Sequence, residues 1–322
     1  MKRPALGAAA VAATLVLCGA TPAQEFPSSA ITVVTPLAPG TTVDILARLY
    51  GERLSRRFGQ QVIVSNRPGA GGLIAAQAVA AAPPDGYTLL LANSGHTILG
   101  TLNKNLPFDP VRDFTGISLI GETAAVVTVP PSLGVRTLQA FVDLARAKPR
   151  TINYGSAGIG TATHLAGAFF ARQAGVDMVH VPYKTGSALI ADLVEGRIQV
   201  TFSPAAFTLP MLQDRKLLAL AVSSREPMLE PMAVPTALSA DVDYEYATWY
   251  GFLAPVKTPA AVLQTLDRAI VELGRDTELQ AKIAAQGIAP RILGLHDFDA
   301  HIRREMDRLE PLLKNIAAQL GN

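Results

Sequence analysis

Residues 153–164 read Asn-Tyr-Gly-Ser-Ala-Gly-Ile-Gly-Thr-Ala-Thr-His, the stretch most suited to chemistry in this chain. Three glycines (Gly155, Gly158, Gly160) free the backbone and let a ligand approach it closely. Apolar residues follow from Leu165, which predicts a helix starting near Thr161. The first turn of a helix has unpaired N–H groups and partial positive charge, so Ser156, Thr161 and these amides could seat a small carboxylate. The same residues would equally make a plain strand–turn–helix junction with a hydroxyl cap. His164 is open in the same way, either turned toward a ligand or satisfied in the core.

Ser156 and His164 also raise nucleophilic chemistry. The Gly-x-Ser-x-Gly elbow is absent, because Gly155 directly adjoins Ser156. Lys184-Thr185-Gly186 matches one element of serine β-lactamases, but their Ser-x-x-Lys and Ser-Asp-Asn elements are missing. His96, His164, His180, His296 and His301 are scattered, with no His-Glu-x-x-His and no ligand-pair spacing. The expectation is a non-enzyme with no metal and no cofactor. A secreted hydrolase using Ser156 and His164 stands as the alternative, since catalytic groups need not be neighbours in sequence. His180 is read as structural and Trp249 as core.

Two further turns resemble the first in chemistry. Residues 30–35 predict a buried strand, and residues 36–44 then lead into a helix over 43–58. Thr41 or Thr42 is its natural cap, and Asp44 suits either the helix dipole or a ligand. A strand over 87–92 ends at Asn93-Ser94-Gly95-His96-Thr97. Ligands in open α/β sheets gather at the carboxyl ends of strands, so the three turns could line one crevice. Residues 66–72 (Asn-Arg-Pro-Gly-Ala-Gly-Gly) follow a strand over 61–65, but they match neither a Walker loop nor a clean dinucleotide fingerprint. They read as a tight turn opening a helix to about residue 82.

Elsewhere, strands are expected at 114–120, 124–129, 178–181, 199–202, 217–222 and within 244–254. Helices are expected at 137–147, 161–174, 187–195, 258–273, 277–286 and 296–318. This alternation gives an α/β class. The pattern breaks near residues 126–131.

The 322 residues are 49% hydrophobic and 17% charged, as in a globular chain of one or two domains. Lys2 and Arg3 precede an apolar, alanine-rich run, and Thr21-Pro22-Ala23 follows, which predicts a cleavable secretory signal over residues 1–23. Leu17 ahead of Cys18 argues against lipid attachment. Cleavage would remove the single cysteine and two of 28 basic residues, leaving 26 against 26 acidic ones. Disulfides and thiolate sites are then excluded. A neutral surface argues against nucleic acid or an anionic membrane as partner. No later run is long enough for membrane insertion of the mature chain. A monomer is expected.

The motifs at residues 36–48, 66–72, 84–91, 153–164, 179–186 and 250–255, in this order, resemble the extracytoplasmic solute receptors of tripartite tricarboxylate transporters, the TctC or Bordetella uptake gene family. That resemblance implies a two-lobed periplasmic binding protein of type II architecture with a cleft between its lobes. It places lobe one at residues 27–125 plus 247–322 and lobe two at 126–246. It implies a small carboxylate ligand, often a dicarboxylate or amino acid, held at Pro39, Gly40, Thr41, Thr42 and Asp44, at Ser94 and Gly95, and at Ser156, Gly158, Gly160, Thr161 and His164. Lys184, Pro204 and Ala205 would border the pocket. The implied partners are membrane permease subunits, or a sensor in their place. The family usually has Gly-Gly at Gly40-Thr41 and often Lys-Gly at Lys184-Thr185, so the pocket here would be decorated differently.

Overall fold

A computed structural model describes residues 26–102, 106–225 and 233–319. The expected signal and Cys18 lie outside the described residues. The strands are β1 (Ile31–Thr35), β2 (Val62–Asn66), β3 (Thr88–Asn93), β4 (Phe114–Val129), β5 (Asn153–Ser156), β6 (Val179–Pro182), β7 (Val200–Pro204), β8 (Leu218–Val222) and β9 (Ala247–Pro255). The α-helices are α1 (Thr42–Phe58), α2 (Leu73–Ala80), α3 (Leu99–Leu102), α4 (Leu138–Ala147), α5 (Ala162–Ala174), α6 (Gly186–Val194), α7 (Ala205–Gln213), α8 (Ala260–Gly274), α9 (Thr277–Ala284) and α10 (Leu295–Gln319).

The nine strands run β2-β1-β3-β9-β4-β7-β5-β6, with β8 also paired to β4. The sequence pattern suggests two strands at 114–120 and 124–129, but β4 is one strand of 16 residues. Its break in hydrophobicity, Gly121-Glu122-Thr123, sits where the register with β9 shifts past a bulge. Gly121 is needed there, because a Cβ would stand 2.6 Å from the Ile288 side chain. Residues 114–124 pair with β9, whereas Ala125 to Val129 pair with β7 and β8. β4 therefore carries the chain from one half-sheet into the other, and β9 returns it.

Each half-sheet is covered on both faces. In the first half, Leu46, Tyr50, Phe252 and Leu266 pack under α1 and α8. Trp249, Leu253 and Phe298 pack on the opposite face under α2 and α10. In the second half, Phe141, Phe170, Phe202 and Tyr244 form the core under α4 and α5, and Leu189, Leu193 and Leu212 that under α6 and α7. Each fully buried side chain of this size contributes roughly 2 kcal/mol. Trp249 is core, as expected, with its indole N–H donated to Glu305.

Helix α7 is absent from the sequence reading. It is short and holds Pro210, which lacks the N–H an interior helical position normally donates. Pro259 stands at the cap of α8. Helix α10 starts in the first half, with Phe298 and Ile302, and reaches the second, where Leu309 joins the core of Tyr244 and Tyr246.

Candidate functional site

The corner before α1 is braced from below. Gly40 takes φ +79°, a left-handed angle that suits glycine, and its N–H donates to Asp44 Oδ2 at 2.9 Å. Asn66 Nδ2 donates to Asp44 Oδ1 at 2.9 Å, and Arg48 Nε donates to Oδ2 at 3.0 Å. Burial alone would raise the Asp44 pKa. The Arg48 bond, the Gly40 N–H, the Asn66 amide and the Arg48 charge outweigh it and hold the carboxyl below its ordinary value. Asp44 is thus an anionic brace whose oxygens are already occupied. Thr41 caps the helix by position only, since its hydroxyl donates back to Ala38 O at 2.8 Å. The Thr42 side chain lies near buried Tyr250 on β9. Pro39 and Gly40 are exposed, and Thr41 and Thr42 half-buried.

At the end of β3, Asn93 Oδ1 accepts the Gly95 N–H at 2.9 Å, which folds the chain back. Ser94 is fully buried, and its hydroxyl has no partner among the described residues. His96 turns away into the core, where Nε2 meets Pro110 O at 2.7 Å. Burial lowers its pKa to about 4, so it is neutral at pH 7 and donates to that carbonyl.

The third turn is held by neutral groups. Ser156 Oγ lies 2.6 Å from His180 Nε2 and accepts the Gly158 N–H at 3.1 Å. The Gly160 N–H donates to His164 Nδ1 at 3.3 Å, which puts the His164 proton on Nε2. Thr161 caps α5 by accepting the His164 N–H at 3.4 Å. Thr163 Oγ1 accepts the Ala157 N–H at 3.0 Å. The His164 and His180 rings stack at 4.0 Å. Burial lowers His164 to about 4; burial and its neighbour lower His180 to about 3. Several amides expected to face an anion are therefore used inside the turn. The Ile159, Ala162 and Thr163 N–H groups make no hydrogen bond among the described residues.

The turns of the two halves touch. A Cβ on Gly95 would stand 3.4 Å from Gly160 O and 3.5 Å from Ala162 N. One on Gly71 would stand 3.2 Å from Ile159 O. The 36–44 corner reaches this junction through Asn66, whose amide also donates to Thr35 Oγ1 and Leu37 O, and through Gly72 beside Pro36. The structure thus brings Ser94 and Gly95 against Gly160 and Thr161, with the Pro39–Asp44 segment alongside. Lys184 is exposed, one residue beyond the Tyr183 N–H that donates to Ser156 O at 2.9 Å. Pro204 and Ala205 open α7, and Ala205 faces Gly287 instead of the glycine turns. Asn66, Gly71, His180 and Tyr250 were not among the expected site residues. Asn66 ends β2 and Gly71 lies in the turn just beyond it, a place after a strand end that could have found them, whereas His180 and Tyr250 lie inside β6 and β9 and carry no local signal.

A Ser156–His164 nucleophilic pair is not formed. Ser156 pairs with His180, is fully buried, and no carboxylate orients either imidazole among the described residues. A base held without an acid partner, beneath a covered hydroxyl, lacks the arrangement that acyl transfer requires.

Residues 46–318 match the tripartite tricarboxylate transporter family receptor. A Pseudomonas sp. (strain P51) protein encoded in the tcbD-tcbE intergenic region is 34% identical over 271 residues, covering 84% of this chain and 81% of that one. The structure of an R. palustris protein with adipate superposes with a TM-score of 0.82 at 31% identity, over 91% of this chain and 99% of the other. MatC from Rhodopseudomonas palustris with bound malate gives 0.78 at 26% identity, over 91% and 100%.

Proposed function

Since this chain belongs to the tripartite tricarboxylate transporter receptor family, a family of solute-binding receptors, we propose that its solute is a small dicarboxylate held where the two sets of turns meet. The observation that carries this is the apposition of Gly95 and Gly71 to the Ile159–Gly160 backbone. Amide-rich, uncharged turns from both halves converge there, and such groups bind an oxyanion without a full positive charge. The relatives solved with adipate and malate support the ligand class.

In this reading the lobes are residues 27–125 with 247–322, and 126–246, hinged at β4 and β9. Thr41, Thr42, Ser94 and the amides around Gly158 and Thr161 touch the ligand. Asp44 and His164 position those turns. Lys184 borders the entrance, and Pro204 and Ala205 line the hinge end. The closed form would deliver its solute to membrane permease subunits in the periplasm, after removal of residues 1–23.

Titration calorimetry with malate, adipate and succinate, with glucose as control, tests this. Saturable heat from at least one dicarboxylate and none from glucose is the expected result. Binding of sugars with silence from every dicarboxylate would overturn the ligand class.

A further inference from the structure

A cavity of about 350 Å³ lies away from the glycine turns, and none of its lining residues belongs to them. Its floor is Ala124 and Ala247, paired across β4 and β9. Successive residues of a strand face opposite sides. Glu122 and Ala124 therefore share the side covered by α10, while Thr123 between them bonds Gly287 O on the other side, toward Ala205. The cavity sits behind the crossing strands, with β4 and β9 between it and the start of α7.

Its walls come from both halves and are rich in charge. Arg291 Nη1 donates to both Glu122 oxygens, at 2.6 and 2.7 Å. Arg225, just past β8, donates to Glu245, with Nε to Oε1 at 3.0 Å and Nη2 to Oε2 at 2.8 Å. Glu305 accepts the indole N–H of Trp249. Arg304, on α10, lines the same space and has no carboxylate partner among the described residues. Two guanidiniums are thus paired with carboxylates; Arg304 forms no ion pair among the described residues, and Glu305 beside it brings the wall to three carboxylates and three guanidiniums. The volume suits a small metabolite.

We propose that this cavity is a second ligand site, which takes a small oxyanion on Arg304 with the Arg225 guanidinium opposite. Arg304 rides on the helix anchored in the first half by Phe298 and Ile302, and Arg225 belongs to the second half. An oxyanion spanning them binds one mutual angle of the halves best. This is the conformation in which the glycine turns touch, so occupancy behind the hinge strengthens ligand capture in front of it, and the coupling is reciprocal. The site does not depend on which solute the front cleft takes.

The test is calorimetric titration of the whole mature chain with inorganic phosphate and, separately, malonate, which distinguishes a phosphate from a carboxylate source. Arg304→Ala and Arg225→Ala are compared with Gly71→Ala, which perturbs the front turns. Arg304 is exposed, so its replacement leaves the fold intact, as circular dichroism would verify. Saturable binding of at least one probe is expected, weakened about tenfold or more by Arg304→Ala and less by Gly71→Ala, which acts on this site only through the coupling. A selenate soak should place anomalous density between Arg225 and Arg304. No saturable binding of either probe, equal binding by Arg304→Ala, or loss in Gly71→Ala alone would overturn the second site. The phosphate arm does not bear on dicarboxylate capture in front, and malonate, itself a dicarboxylate, counts for the second site only by the part that Arg304→Ala removes.

Discussion

The corner at residues 36–44 and the turn at residues 156–164 do the same job with opposite means. The first is braced by an ionised carboxylate, an exposed arginine and an amide, with Gly40 left open to solvent. The second is braced by a hydroxyl and two neutral imidazoles packed under buried tyrosine and phenylalanine rings. A charged brace survives only near water, where Arg48 can neutralise it. A turn that backs directly onto a hydrophobic core needs uncharged partners. The two halves therefore reach the same amide-rich face from different local physics, and they should fail differently.

The largest effect should come where the two regions meet. Gly95→Val places a branched side chain against Asn93 Oδ1, Gly160 O and Ala162 N. Dicarboxylate binding should weaken by about a hundredfold or more, since overpacking of 1–3 kcal/mol adds to lost closure. Calorimetry reads this, and unchanged affinity would break the picture of touching turns. Gly71→Ala, at φ +68° and 3.2 Å from Ile159 O, should act in the same direction more mildly.

Next comes the charged brace. Asp44→Ala strands the Gly40 N–H, the Asn66 amide and Arg48 at once. Because Arg48 is exposed, the expected loss is about 2 kcal/mol, below that of a fully buried pair. The Asp44 pKa is depressed in the folded state. Its stabilisation is therefore present above the usual carboxylate pKa and is lost as pH falls through that range toward the depressed value. Urea melts of Asp44→Asn should lack this part of the acid slope.

The neutral brace fails at higher pH. His164 and His180 drop from about 6.5 unfolded to about 4 and about 3 folded, so the unfolded chain binds protons first. Stability is full above about pH 6.5 and falls below it by about 1.4 kcal/mol per pH unit for each histidine, until its folded value is reached. His96 adds a similar slope from within the first half. His164→Gln should flatten the wild-type slope between pH 6.5 and 4 by one histidine's share in melts across that range. An unchanged slope would contradict the buried neutral pair. Smallest is the cap: Thr161→Ala should cost about 1 kcal/mol in thermal melts.

Much of this was legible in the sequence. Alternating periods gave the α/β class, and glycine-rich strand ends marked the crevice. Local patterns could not show what distant residues do to each other. Asp44 reads equally as dipole partner or ligand group until Asn66 is placed beside it by the β1–β2 pairing. Ser156 meets His180 instead of His164 because β5 and β6 pair with Tyr154 opposite His180, on the face Ser156 shares. β4 reads as two strands because Gly121 and the polar Glu122 and Thr123 interrupt its apolar run. The cavity behind the crossing strands β4 and β9 joins residues between Glu122 and Glu305, a range no sequence window spans.

The most direct test of the central claim is a crystal structure of the chain with malate or adipate. One carboxylate should rest on backbone N–H groups of residues 158–163, and the other should be within reach of Thr41 and Thr42. A ligand seated on arginine or lysine side chains away from both turns, with those turns apart, would contradict the account.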